Sequence, residues 1–593
     1  MSTYDFQRGK GETDAEGWRP LDRALYHWVR SHGGDALLAR VAAWTSLADG
    51  QGDAALLLQD ARQGMPALDA RQLAALRASP WVATLPEHGR RPFVLDARGR
   101  FQLWRNHAHE LAIAAQVQAR RAVVPDSGPA TLDADLDVLF GGDHRAAVQA
   151  QRQAVRAVPG RRLFVLTGGP GTGKTTTVLR MLLMLQRRAT APLRMRLAAP
   201  TGKAAQRLAQ ALRDGVQALA AAPLPAAWAP LLERVAATDT LTLHRLLGYR
   251  PSRNAFARGP RDRLDADVVV VDEASMVDLD TLRHLLDALD EHACLILVGD
   301  ADQLSSVATG SVLADLVTLL EGDARGDLVR LEHGFRAEPA LAQLNAAVRR
   351  GDVAALRGAI TRGGPLQQRA VDDPRTLRAA LRDWALTLAN ETRLRPLLRA
   401  DAQGADAATA ADVRTALAAL AQRQLLCALR EGPFGSLAAN ALVEARLRAA
   451  WQVDAQAPWY AGRAVIVSHN DYATGLFNGD IGICLADEAG RLRVWFDGVA
   501  GVRAWAPREL PAHEGAFALT IHKSQGSEYA QVAVLLPPDP EHRILSRQLL
   551  YTAVSRARQS LQLWADEAVI AATLSRGLAR AGALADKLAQ PLR

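Results

Sequence analysis

The sequence predicts an α/β protein in which two parallel-sheet units follow a helical N-terminal region, and three observations carry that prediction. Short apolar runs alternate with helical patterns from about residue 160, at Leu163–Leu166, Arg196–Ala198, Val268–Val271 and Leu295–Val298. Runs apolar on both faces are what the covered strands of a parallel sheet require. A later series, Val465–Val467, Val532–Leu536 and Leu561–Trp564, implies a second unit of the same kind. A glycine-rich loop stands directly between the first apolar run and a helical pattern through Val178, Leu182 and Leu185.

Residues 1–125 read as mainly helical, with apolar positions at Leu21, Leu25, Trp28 and Val29 and again at Leu38, Val41 and Trp44, separated by Gly33 and Gly34. A short strand pair is expected around Phe93–Leu95 and Phe101–Trp104, followed by a turn-rich linker at Pro125–Pro129. The first parallel-sheet unit is expected over 126–325 and the second over 326–593. Within the second, Ile481–Leu485, Leu492–Phe496 and Val502–Trp505 are divided by turn signals such as Asn478-Gly479-Asp480, which predicts a small antiparallel β-barrel inserted at about 460–514. The Ala/Asp-rich stretch Asp401–Asp412 reads as a surface loop or insertion.

The 593 residues, 49% apolar and 23% charged, are those of a globular chain of roughly three to five domains, not of a disordered or fibrous one. Three scattered cysteines, Cys294, Cys427 and Cys484, lack metal or redox spacing and suit a reducing compartment. The N-terminus lacks a secretory apolar region and no uncharged run is long enough to span a bilayer, so a cytoplasmic, membrane-free protein is expected. A net charge of +8 favours a polyanionic partner. Of 71 basic residues only five are lysine: Lys10, Lys174, Lys203, Lys523 and Lys587. A chain so biased to arginine should keep lysine where a compact ammonium cannot be replaced by a planar guanidinium. With Lys10 and Lys587 near the termini, Lys174, Lys203 and Lys523 become the candidates for chemistry.

The loop Gly168-Gly169-Pro170-Gly171-Thr172-Gly173-Lys174-Thr175 has the G-x-x-x-x-G-K-[ST] pattern in its strand–loop–helix setting. Glycines let backbone N–H groups converge on phosphate oxygens, and the helix N-terminus adds positive potential. Lys174 is expected to reach the β- and γ-phosphates of ATP, and Thr175 to give its hydroxyl to Mg²⁺. Val268–Val271 ends in Asp272-Glu273, where an aspartate can hold the Mg²⁺ shell and the glutamate can polarise the attacking water. After Leu295–Val298, Gln303 follows at a strand end, beside the expected γ-phosphate. Arg336 and Arg556 are candidates to stabilise transition-state charge from the second unit, although among so many arginines local pattern alone would not choose them.

The blocks GGPGTGKTTT, APTGKAA, TLHRLLG, VVVDEASM, GDADQLSSV, LCALREGPFG, LFNGDIG, TIHKSQGSEY and LYTAVSRAR, in this order over residues 150 to 560, resemble superfamily 1 helicases and within them the RecD branch, the α subunit of exodeoxyribonuclease V. The resemblance implies two RecA-like motor domains, an adenine contact from Gln151, and a nucleotide cradle running from Gly168 to Thr176. It implies γ-phosphate contacts from Gln303, Arg336 and Arg556. Single-stranded DNA would run over Pro200, Thr201, Lys203, Thr242 and His244 in the first motor domain and over Thr520, His522, Lys523, Ser524 and Gln525 in the second, with Glu528 near the coupling cleft. The histidines could equally be satisfied structural residues. The inserted barrel implies 5′-to-3′ movement, and the family implies single-stranded and duplex-end DNA as substrate and a heterotrimer with RecB-like and RecC-like subunits.

That family also cuts DNA, but its nuclease pattern needs an acid two residues before a lysine. Here those positions hold Arg8, Thr172, Thr201, Ile521 and Ala585, so cutting is expected from another subunit. A standalone RecD-like helicase and a nucleotide-gated scaffold without unwinding are the competing readings; the pairing of Glu273 with Arg556 argues against the scaffold.

Overall fold

The computed structural model describes residues 17–61, 65–84, 90–121, 131–335, 338–391, 408–471, 473–498, 501–577 and 580–590. The linker Pro125–Pro129, most of the Ala/Asp-rich stretch and Arg336 lie outside them. Among the described residues no helix is long and apolar enough to cross a membrane.

The N-terminal region pairs helices Pro20–Ser31 and Ala36–Gly50 over a four-stranded sheet of Leu56–Leu57, Arg100–Leu103, Phe93–Leu95 and Val82–Ala83. Asp35 caps the second helix by accepting from the Leu38 N–H, and Val29, Leu38, Val41 and Trp44 fill the core between them. Leu21 and Trp28 lie on the outer surface instead.

The first parallel sheet runs Leu328–Leu331, Leu163–Gly168, Cys294–Gly299, Val268–Val271, Met195–Ala199 and Thr240–Thr242. Successive side chains of a strand point to opposite faces: Val269 and Val271 enter one apolar core, Val268 and Val270 the other. Burying each such valine stabilises the domain by about 1.5–3 kcal/mol, so a charge at any of the four would break the sheet. The expected boundary at 325 is corrected by Leu328–Leu331. That strand lies beyond it yet completes the first sheet beside the phosphate-loop strand.

The second parallel sheet runs Leu366–Arg369, Ala557–Trp564, Tyr529–Leu535, Arg423–Cys427 and Ala518–Thr520. Val465–Val467, expected in it, belongs elsewhere: Ala464–Val467 pairs antiparallel with Ile481–Ala486 and His513–Gly515. With Leu492–Gly498 and Gly501–Trp505 these strands form the inserted sheet, whose strand order is open among the described residues rather than closed as the expected barrel. One face is covered instead by helix Ala410–Leu420, capped by Thr409, whose Val413, Ala416 and Ala419 pack on Ile483 and Leu485. The tail of the Ala/Asp-rich stretch is therefore helix, not loop.

Residues 580–590 do not pack in the second parallel-sheet unit, as the span 326–593 expected. They cross back, and helix Leu584–Ala589 packs against Trp104–Arg120 of the N-terminal region and Val312–Leu320 of the first motor domain. Leu584 and Leu588 bury themselves in the first motor domain's core, which draws the segment there.

Candidate nucleotide cleft and nucleic-acid interface

Every strand of the first sheet that carries a motif ends on the same edge, which is where open α/β sheets place ligands. Leu163–Gly168 opens into the phosphate loop, Val268–Val271 into Asp272, Cys294–Gly299 into Asp300, and Met195–Ala199 into Pro200. Gly171 and Gly173 hold φ of 73° and 81°, a region that only glycine occupies without strain. A Cβ on Gly173 would also stand 2.4 Å from Nε2 of Gln151. Helix Lys174–Arg188 starts at once, so its free first-turn N–H groups face the loop. Lys174 Nζ donates to the carbonyls of Gly168 at 2.7 Å and Gly169 at 3.0 Å. This donor set fits a polyphosphate.

Asp272 is half-buried and its Oδ1 accepts from the Glu273 N–H at 2.9 Å. Burial pushes its carboxyl up to about 6, Glu273 adding to the rise and Lys174 opposing it. A divalent cation beside Thr175 and Asp272 would supply the missing positive charge, and a site of one carboxylate, one hydroxyl and substrate phosphates suits Mg²⁺. Glu273 has φ of 52°, in the left-handed region, and faces the second motor domain: a Cβ on Gly526 would lie 3.6 Å from its Oε1.

Among the described residues four hydrogen bonds close the cleft between the motor domains. Arg556 Nη2 donates to Gln303 Oε1 at 2.6 Å, and Tyr551 Oη donates to Asp300 Oδ2 at 3.0 Å. The Leu304 N–H donates to Thr552 Oγ1 at 2.8 Å, and Gln525 Nε2 donates to the Leu304 carbonyl at 3.0 Å. Gln303 Nε2 in turn donates to Asp300 Oδ2 at 2.8 Å, so its amide is oriented from both ends. Arg556 is buried and held by the carbonyls of Thr552 and Ser527. Burial raises the Asp300 carboxyl and, with the adjoining aspartates, lifts the Tyr551 phenol well above its ordinary value; the phenol therefore stays a donor. Gln151 donates to the Thr172 carbonyl at 3.0 Å, against the phosphate loop. Arg336 lies outside the described residues, but the Phe335 N–H before it donates to the Gly171 carbonyl at 2.9 Å.

On the adjoining face a cleft of about 1040 Å³ lies between the first motor domain and the inserted sheet, lined by Lys203, Thr242, Arg245, Phe477, Asp480 and Trp505 among others. Thr201 and Thr242 each cap a helix, accepting from the N–H groups of Ala204 and Arg245. Burial, with the Arg207 charge, brings the Lys203 ammonium down to about 7, against the pull of Asp480. His244 is exposed, stacked edge-on to Tyr249. In the second motor domain Lys523 Nζ pairs with Glu514 at 2.7 Å, and Ser524 is buried with its hydroxyl on the Ile521 carbonyl. Gln525 faces the motor interface rather than this cleft.

Comparison with known proteins gives this geometry a lineage. Residues 151–309 match the AAA domain family and 515–564 the UvrD-like helicase C-terminal domain. The chain is 39% identical over 531 residues to the RecBCD enzyme subunit RecD of Mycobacterium tuberculosis, covering 87% of this chain and 84% of that one. The chain belongs to the RecD family. The Haemophilus influenzae RecD subunit is 32% identical over 71% of this chain and 69% of its own, and the Deinococcus radiodurans ATP-dependent RecD2 DNA helicase 30% identical over 69% of this chain and 48% of its own. As a RecD family member with both matched regions, the chain is an ATP-dependent helicase.

Three residues of this RecD family cleft escaped the sequence reading. Tyr551, Asp300 and Thr552 lie inside quoted blocks, but a tyrosine, a buried aspartate and a threonine announce no role until the two domains are set face to face. Their strand-end and helix-end positions, next to Gln303 and Arg556, were the only available signal.

Proposed function

We propose that this ATP-dependent DNA helicase translocates 5′ to 3′ along single-stranded DNA, as one motor of a helicase–nuclease complex with RecB-like and RecC-like partners that processes duplex ends in the cytoplasm. The observation that supports it best is the Arg556–Gln303 contact, which sets a second-domain guanidinium beside the first domain's phosphate pocket. In this reading Lys174 leaves its two loop carbonyls for the β- and γ-phosphates, with Gln151 and the Gly168–Thr176 cradle holding the rest of the nucleotide. Thr175 and Asp272 would hold Mg²⁺, which would supply charge neutralisation for the nucleotide phosphates. Glu273 accepts the proton of the attacking water, and Gln303, Arg336 and Arg556 bear on the charge that develops at the γ-phosphoryl group.

Because Arg556, Tyr551, Thr552 and Gln525 all reach across the cleft, loss of the γ-phosphoryl group removes a reason for closure, and the two domains part. Lys203 and Thr242 on one domain and Thr520, His522 and Lys523 on the other would then grip the strand alternately, a hinge cycle. Partner docking through residues 1–125 is supported by the RecBCD subunit relatives named above.

Unwinding of duplexes bearing only a 5′ or only a 3′ single-stranded tail tests the direction. With ATP and Mg²⁺, the 5′-tailed duplex is expected to open and the 3′-tailed one to persist; equal activity, or preference for the 3′ tail, would overturn the polarity.

A further inference from the structure

The loop that follows Gln303 is held by the far end of the chain. Ser306, Ala308 and Gly310 all turn their carbonyls toward one guanidinium, that of Arg580: Nη1 donates to Ala308 at 2.8 Å and to Gly310 at 2.9 Å, and Nη2 donates to Ser306. The N-terminal region meets the same point. The Gly310 N–H donates to the Gly52 carbonyl at 2.9 Å, and Thr309 Oγ1 donates to Asp49 Oδ1 at 2.9 Å. Next to Arg580, the Ala581 N–H donates to Asp53 at 2.8 Å while its carbonyl accepts from the N–H groups of Ala54 and Ala55. Two glycines make room: Gly52 has φ of 94°, and a Cβ there would stand 2.5 Å from the guanidinium carbon, while Gly310 has φ of 102° and packs on Leu279. Burial, and after it the Arg580 charge, holds His522 of the second motor domain below its ordinary value.

We propose that Arg580 is a positioning residue for ATP hydrolysis: it pins the 306–310 loop against residues 49–55, so that the N-terminal region sets how rigidly Gln303 and Leu304 are presented to the closing second motor domain. Three carbonyls converging on one planar group match the fork of donors that only arginine supplies. Without that group the Ser306 carbonyl loses its donor and the Ala308 and Gly310 carbonyls keep only the Ser306 hydroxyl, so the loop is held less firmly and can move. Leu304, two residues before Ser306, carries two of the four bonds that close the cleft. Movement there shifts Gln303 relative to Arg556, and displacement of a catalytic group by about 1 Å costs up to about a hundredfold in rate. Arg580 touches no substrate and lies outside every block used to read the motor, and it rests on the ATPase reading above.

The test uses the full chain at saturating single-stranded DNA. Hydrolysis of ATP by the unaltered chain upholds the ATPase reading by itself. In Arg580→Ala, kcat is expected to fall between about tenfold and a hundredfold with KM for ATP and DNA affinity unchanged. Free guanidinium at low millimolar concentration should restore part of the loss by refilling the carbonyl site, which a general loss of stability would not allow. An unchanged kcat, or a loss that guanidinium leaves untouched, would overturn the proposal. Should Arg580→Ala fail to fold, Thr309→Val decides: it removes the strut to Asp49 alone, and an unaltered kcat in that variant overturns the proposal equally.

Discussion

The first parallel sheet ends its strands in a phosphate loop, an Asp-Glu pair and the Asp300–Gln303 turn, so it carries a nearly whole nucleotide pocket on one edge. The second sheet has the same parallel build, but its loop of Gly432 and Gly435 between strand Arg423–Cys427 and helix Ser436–Ala450 carries no lysine. What it brings to the pocket comes from helix Arg547–Val554 and the turn after it: Tyr551, Thr552 and Arg556, all aimed outward at the other domain. Like architectures thus divide the work between holding the nucleotide and sensing it. In the proposed cycle, binding belongs to one domain and acceleration needs the two to meet.

Removing the holder should do most. Lys174→Gln is expected to abolish DNA-stimulated hydrolysis together with nucleotide affinity, with the fold intact by circular dichroism; near-normal turnover would end the assignment of holding to the first sheet. Removing the sensor should separate the two functions: Arg556→Ala is expected to keep nucleotide affinity within severalfold and lower kcat by about 10³ or more. A parallel collapse of affinity would show that the second sheet holds as well as senses.

The smallest effect concerns the DNA side of the first domain. Lys203, with its ammonium brought down to about 7, is charged below that pH and neutral above it. Affinity for single-stranded DNA is therefore expected to fall between about pH 6 and pH 8 and to fall much less in Lys203→Arg, whose group stays charged throughout. Equal slopes in titrations of both proteins would remove Lys203 from the strand's path.

The phosphate loop and Asp272 were legible because a buried strand, a glycine turn and a helix leave a contiguous signature that needs no partner. Val465–Val467 was misplaced for the converse reason: a short apolar run looks the same in a parallel sheet as in an antiparallel sheet covered on both faces, and Val465 and Ile466 indeed enter different cores. Strand Leu328–Leu331 fell outside its domain because a return to the first sheet leaves no local mark. Tyr551 meets Asp300 across 251 residues and Arg580 meets Gly310 across 270, separations over which no periodicity speaks. The scarcity of lysine singled out Lys174, Lys203 and Lys523, yet Lys587, set aside as terminal, is itself half-buried against Glu110 and His107.

That pair dictates a schedule for synthesis. Glu110 lies at the heart of the N-terminal region with no exposure to solvent, and the lysine that neutralises it is made 477 residues later. At roughly 5–20 residues per second, about 25–95 s pass on the ribosome between the two. A carboxylate that cannot be buried alone must wait in water, so the helix Trp104–Arg120 is expected to dock last although it is made early. Nascent chains stalled short of residue 580 should be cut by protease within 98–120, whereas released chains should resist; early resistance would mean the region closes without its cation. The N-terminal region of this motor is then translated early and finished late.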